Sequence, residues 1–92
     1  MEEALSNLLK FLDDLRAEGV NFRLGQSRST AIMVEVFVPR ERWEIEFFAD
    51  GSIDVDRFVG AEGVQNAPHL RELWATIRGV PSTEDFDNAP RQ

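Results

Sequence analysis

The sequence predicts an α+β fold, a two-layer sandwich in which two helices cover one face of a four-stranded antiparallel meander. Two segments, 2–17 and 68–78, repeat apolar residues at helical spacing, and the chain between them alternates apolar and polar residues as half-buried strands do. Short turns join these strands in sequence, which favours antiparallel neighbours. Each helix has a single apolar stripe, so both helices should pack on the same face of the sheet and leave the other face open.

The first predicted helix, 2–17, has a stripe of five leucines: Leu5, Leu8, Leu9, Leu12 and Leu15. Glu2 and Glu3 suit the positive end of the helix dipole, and Gly19 is a favourable stop.

The predicted strands occupy residues 20–24, 31–38, 43–49 and 52–59. A four-residue turn, Pro39–Arg42, would join the second strand to the third and place three apolar pairs on one side: Val38 with Trp43, Val36 with Ile45 and Val34 with Phe47.

The turn between the third and fourth strands requires an odd number of residues. A two-residue loop would oppose inward Phe47 to outward Asp54, which strand alternation forbids. We therefore expect a three-residue loop, 49–51, with Gly51 left-handed in a bulge. Phe47 then faces Ile53.

Arg57 is placed on the core side by the same alternation, between Val55 and Val59. Either its guanidinium reaches water past the helix layer, or the position marks a bulge or a buried ion pair.

The second predicted helix has Pro68 in its first turn and an apolar stripe of Leu70, Leu73, Trp74 and Ile77. Gly79-Val80-Pro81 should end it. We expect residues 1–80 to form a single domain and residues 81–92 to form a mobile acidic tail.

Composition narrows the class of protein. The chain has 92 residues, no cysteine and a formal net charge of −7. That charge disfavours nucleic acid and anionic lipid and favours basic protein partners. Arg23, Arg28, Arg40 and Arg42 lie near loop ends, where we expect them to balance neighbouring acids rather than bind phosphate. No signal peptide or membrane-spanning stretch is visible, so a cytoplasmic location is expected.

Catalytic and metal-binding patterns are missing from the sequence. His69 is the single histidine, near a helix start, and is expected to be solvated. Asp54-x-Asp56 resembles the start of a calcium loop, but the position that requires glycine holds Val59. No nucleophile elbow or phosphate-binding glycine loop occurs. We therefore expect a non-enzymatic protein with no metal and no cofactor.

The outward residues of the three later strands are the main functional signal. They should share the open sheet face and comprise Met33, Glu35, Phe37, Glu44, Glu46, Phe48, Asp54, Asp56 and Phe58. Five are carboxylates, three are phenylalanines and none is basic, a combination that suits a basic protein partner. We expect these carboxylates to be solvated in the free protein, and we assign all of the set except Met33 as partner-binding residues.

The hairpin from Trp43 to Asp56, with its sequence WEIEFFADGSIDVD, completes a resemblance to the immunity proteins of bacterial polymorphic-toxin systems, which also rests on small size and acidity. The resemblance implies a non-enzymatic inhibitor that binds and blocks a cognate toxin, often a basic nuclease. The alternative is a small acidic chaperone or homodimeric adaptor, in which Phe37, Phe48 and Phe58 would form a self-association patch.

Overall fold

A computed structural model describes residues 2–60 and 69–79. Its elements are α1 Glu2–Ala17, β1 Asn21–Gly25, β2 Ala31–Val38, β3 Glu41–Phe48, β4 Ile53–Val59 and α2 Leu70–Arg78. The predicted helix–meander–helix order and the α+β class are confirmed. Pro68 and the predicted tail, 81–92, lie outside the described residues.

The four strands form one antiparallel sheet in the order β1-β2-β3-β4. Even-numbered residues of β2 and odd-numbered residues of β3 join both helices in one apolar core, whose fully buried sheet residues include Val34, Val36, Trp43 and Ile45. Both helices therefore cover one face, as the two apolar stripes predicted, and no described helix covers the opposite face.

The β2–β3 turn is shorter than expected, with two residues, Pro39 and Arg40, instead of four. Arg40 has a φ of 66°, a left-handed conformation that two-residue hairpin turns use. Val38 consequently lies opposite Glu41, and Trp43 lies opposite Val36. The predicted register was wrong by two residues. Because side chains alternate with a period of two, the assignment of residues to faces was unaffected.

Four residues, 49–52, separate the bounds of β3 and β4, but the loop between the bonded residues Phe48 and Ser52 has the predicted three, 49–51. Gly51 has a φ of 95° and donates its N–H to the Phe48 carbonyl, while Phe48 donates its own N–H to the Ser52 carbonyl. Phe47 lies opposite Ile53, as expected. The Asp50 carboxylate accepts bonds from the Ser52 hydroxyl (2.7 Å) and N–H (2.9 Å), which lower its pKa.

The buried stripe of α1 differs from the predicted one. Leu8, Phe11, Leu12 and Leu15 are buried, whereas Leu5 and Leu9 are 55% and 53% exposed. The Phe11 ring lies 5.2 Å from the Phe47 ring and 5.6 Å from the Trp74 ring, so this phenylalanine links the sheet to both helices.

Helix α2 packs by its predicted stripe, with Leu73 fully buried and Leu70, Trp74 and Ile77 partly buried. Gly79 has a φ of 72° and its N–H bonds the carbonyls of the last turn, which ends the helix as expected. Within the described residues, no helix is long and apolar enough to span a membrane.

Arg57 forms an ion pair on the helix side of the sheet. Its Nε and NH2 atoms each donate a 3.0 Å bond to Glu41, and the Trp43 Nε1–H donates a third to the same carboxylate. Glu41 had been expected in a turn, but the shorter turn places it on the core face. Burial alone would raise the pKa of Glu41, yet the bonds from Arg57 and Trp43 and the positive charge of Arg57 hold it below its ordinary value.

Candidate partner-binding face

The open face is the side of the sheet away from the helices, and it carries the outward residues predicted for β2, β3 and β4. Pairing brings the carboxylates together in two rows across the strands. In one row Glu35 lies opposite Glu44, which lies opposite Asp56. In the next row Met33 lies opposite Glu46, which lies opposite Asp54. The predicted set is therefore brought onto one surface.

Three arginines also lie on the open face. Arg23 of β1 pairs with Glu35 at 2.8 Å, Arg28 from the β1–β2 loop pairs with Glu46 at 3.1 Å, and Arg42 of β3 approaches Glu44 at 3.6 Å. The expected pairing with neighbouring acids is confirmed for these three arginines, whereas Arg40 has no acid partner among the described residues. The face is consequently less negative than the nine predicted residues alone implied.

Each of these arginines also covers an aromatic ring. The guanidinium carbon of Arg42 lies 4.2 Å from the centroid of the Phe58 ring. The corresponding distances are 5.3 Å for Arg28 over Phe48 and 5.7 Å for Arg23 over Phe37. Such cation–π contacts partly cover the rings: Phe48 and Phe58 are half-buried, whereas Phe37 is still 38% exposed.

Glu46 is the clearest departure from the sequence prediction. It was expected to be solvated, but it is only 5% exposed. The β1–β2 loop folds over it, where Ser27 donates its hydroxyl at 3.3 Å and Arg28 donates its Nε–H at 3.1 Å to one carboxylate oxygen. Glu35 and Glu44 are half-buried as well. The expected solvation of Glu46 was therefore wrong, because this carboxylate is buried and paired with Arg28.

Asp54 and Asp56 differ from the other carboxylates of the open face. Both are exposed on β4, an edge strand. Neither forms an ion pair or a side-chain hydrogen bond with any residue in 2–60 or 69–79. Within these described residues, the two aspartates thus differ from Glu35, Glu44 and Glu46, which have arginine partners.

A shallow depression of about 520 Å³ runs along this part of the sheet. Its walls include Met33, Glu44, Asp54 and Asp56, and exposed His69 lies at its rim. The lining also includes Arg28 and Glu46, which pair with each other. Asp54 and Asp56, which have no cation partner among the described residues, lie beside Met33 in this depression, an arrangement that suits a lysine or arginine side chain. Among the residues the structure describes, no three histidine, cysteine, aspartate or glutamate residues are grouped so as to hold a metal ion.

The positions of the three arginines on the open face were not predicted from the sequence, and each has its own reason. Arg23 follows the alternation of β1, so that pattern could have predicted its place on the open face. Arg42 was assigned to a turn that is in fact part of β3. Arg28 lies in a loop, where no periodicity indicates direction.

No known protein family, characterised protein or solved structure matches this chain.

Proposed function

We propose that this protein is a non-enzymatic protein-binding module of the immunity or antitoxin type, which acts in the cytoplasm by binding and blocking a basic toxin through its open face. The observation that carries the proposal is the contrast between paired and unpaired carboxylates. Three glutamates of that face have arginine partners, whereas Asp54 and Asp56 have none among the described residues.

Electrostatics supports a basic partner. The chain carries a net charge of −7, so its long-range field attracts cationic proteins and accelerates encounter. The arginine partners of the three glutamates leave Asp54 and Asp56 as the carboxylates of the open face that have no cation partner among the described residues. Carboxylates on such a surface compete for the arginine and lysine side chains with which a nuclease would hold phosphates.

The experiment uses Asp54→Asn/Asp56→Asn. The partner is recovered from the native host with the wild-type protein as bait, and association kinetics are then measured at low and moderate salt. We expect the double variant to associate about tenfold more slowly or worse at low salt, with a weaker salt dependence. If the partner is a toxin, the variant should also protect less well against its activity.

A matched control is Asp13→Asn/Asp14→Asn, which removes the same two charges from α1, on the opposite side of the molecule. This control should affect the association rate much less. Equal rates for wild type and the Asp54/Asp56 variant would contradict the proposal, as would equal losses in the two variants.

The alternative function, a homodimeric adaptor, is favoured by exposed leucines and not by the phenylalanines of the open face. Leu5 and Leu9 of α1 and Leu24 of β1 are each at least half exposed. Sedimentation at increasing protein concentration tests this alternative: a stable dimer that Leu5→Ser/Leu9→Ser dissociates would favour the adaptor, and a monomer would contradict it.

A further inference from the structure

Among the described residues, no strand pairs with the outer edge of β4, and this edge has a defined set of outward backbone groups. The N–H of Phe48 bonds the Ser52 carbonyl, and the N–H of Gly60 bonds the Arg40 carbonyl, at opposite ends of the β3–β4 pairing. In an antiparallel ladder, bonded and non-bonded pairs alternate. Asp54, Asp56 and Phe58 therefore direct their N–H and C=O groups toward β3. Ile53, Val55, Arg57 and Val59 direct theirs away from the sheet.

The two sides of β4 differ in chemistry. Asp54 and Asp56 project from the open face, without a cation among the described residues. Ile53, which is 39% exposed, and half-buried Val55 project from the helix side. A strand placed beside β4 would thus meet carboxylates on one face and aliphatic side chains on the other.

Building on the proposed function, we infer that β4 is the docking strand for an extended segment of the basic partner, which adds to the sheet as a fifth strand and carries lysine or arginine at alternate positions. Main-chain bonds to Ile53, Val55 and Arg57 would hold the segment. Its basic side chains would lie beside Asp54 and Asp56, and the residues between them would pack beside Ile53 and Val55.

Charge selects this occupant over a second copy of the chain. Two β4 edges paired with each other would bring four aspartates together, and like charges on neighbouring strands repel. The other edge, β1, is less suitable for a basic segment. It presents Arg23 on the open face, and only Phe22 and Leu24 direct their backbone groups outward.

The probe is a seven-residue peptide of alternating valine and lysine, which matches the length of β4. A peptide of the same composition with the lysines in one block is its control. Hydrogen exchange of the protein amides is followed by NMR. We expect the alternating peptide, at about tenfold excess over its Kd, to slow exchange at Ile53, Val55 and Arg57 by about tenfold. The block peptide should not do so.

N-methylation of the peptide tests the main-chain bonds directly. In an added strand, every second peptide N–H faces β4. Methylation of one alternate set should therefore abolish binding, and methylation of the other set should leave it nearly unchanged. Loss of binding with both sets, or with neither, would overturn strand addition.

Protein variants separate this inference from the proposed function. Ile53→Pro removes an outward N–H at the first residue of β4, where proline is tolerated. Ile53→Ala truncates the side chain but keeps the N–H. We expect Ile53→Pro to bind the alternating peptide about three- to tenfold more weakly than Ile53→Ala. Asp54→Asn/Asp56→Asn should also weaken binding, in a salt-dependent way.

Each other outcome has a defined meaning. If the aspartate variant binds weakly while Ile53→Pro equals Ile53→Ala, the acidic face stands and strand addition is overturned. If only the proline variant is affected, the basic occupant is wrong, and the proposed function fails with it. Slower exchange at the same three amides as protein concentration rises, without peptide, would assign the edge to a second copy and overturn the inference.

Discussion

At the scale of single residues, the pair of Glu41 and Arg57 shows how the sheet tolerates two charges on its core face. The Glu41 side chain is 14% exposed and that of Arg57 is 29% exposed, so both are largely withdrawn from water. The free-energy cost of desolvation is offset because the Glu41 carboxylate accepts hydrogen bonds from Nε and NH2 of Arg57 and from Nε1 of Trp43. Removing one partner leaves the other charge poorly solvated, which usually costs more than the pair itself contributes.

We expect Glu41→Gln to lower the free energy of unfolding at neutral pH by about 1–3 kcal/mol. The pKa of Glu41 in the folded protein lies below its ordinary value of 4.5. Its contribution is therefore fully present above the unfolded pKa and is lost as pH falls through the folded value. Urea unfolding from pH 7 to pH 3 should show the difference between wild type and variant shrinking below about pH 4.5.

Two features make that measurement specific. The lowered pKa of Asp50 contributes equally to both proteins and cancels in the difference. Glu18→Gln, which breaks the exposed pair between Glu18 and Arg78, is a control that should cost less than about 1 kcal/mol. A difference for Glu41→Gln that stayed constant with pH would contradict the assigned cause.

Gly51 carries a second prediction at this scale. Its φ of 95° strains any residue with a Cβ, although no atom lies within 4 Å of a Cβ built there. Gly51→Ala should therefore lower the free energy of unfolding by about 1–3 kcal/mol through backbone strain alone. Gly25→Ala, in β1 with similar open space and no positive φ, is the matched control. Comparable losses at both glycines in chemical denaturation would rule out the strain explanation.

At the scale of elements, α1 shows how packing selects among helical positions with similar hydrophobicity. Five leucines suggested one stripe, but the buried surface turns away from Leu5 and Leu9 to include Phe11. The Phe11 ring contacts Phe47 of β3 and Trp74 of α2. Burying this large aromatic ring stabilises the fold more than burying Leu5 or Leu9 would.

We expect Phe11→Ala to lower the free energy of unfolding by about 3–5 kcal/mol, because it opens a cavity where both helices meet the sheet. Leu9→Ala removes a side chain that is 53% exposed and should cost less than about 1 kcal/mol. Thermal and urea unfolding of the two variants will test this order. A larger decrease in the free energy of unfolding for Leu9→Ala than for Phe11→Ala would favour the originally predicted stripe of five leucines.

Strand alternation predicted the elements better than it predicted their connections. Period-two patterning assigned the nine predicted outward residues of β2, β3 and β4 to the correct face, but it missed Arg42, which was expected in a turn. The same patterning cannot distinguish a two-residue turn from a four-residue turn, and the left-handed conformation of Arg40 has no strong sequence signal. Burial of Glu46 depends on Ser27 and Arg28 in a loop, which periodicity does not describe.

At the scale of the whole molecule, the open face places carboxylates opposite one another, an arrangement that does not stabilise the sheet. Glu44 lies opposite Asp56, and Glu46 lies opposite Asp54. Like charges placed directly across strands are destabilising, and three arginines offset this only on β2 and β3. Residual repulsion on the β4 side is a cost in stability that partner binding would explain.

We therefore expect Asp54→Asn/Asp56→Asn to leave the melting temperature unchanged or raise it slightly, with the gain shrinking as salt is added. Asp13→Asn/Asp14→Asn removes the partners of Arg16 and Lys10 and should not raise it. Calorimetry of both variants at low and moderate salt makes the comparison. A clear loss of stability in the Asp54/Asp56 variant would mean that these aspartates have a structural role.

The difference between the carboxylates that have arginine partners and those that have none among the described residues also affects which substitutions the sequence can accept. Substitution at Glu46 must be matched by changes at Ser27 or Arg28, whereas Asp54 and Asp56 have no such obligations within the described residues. A library selected for folding alone should accept many amino acids at positions 54 and 56 and few at position 46. Under the proposed function, substitutions at positions 54 and 56 could change partner specificity while the glutamate–arginine pairs at the centre of the sheet are retained.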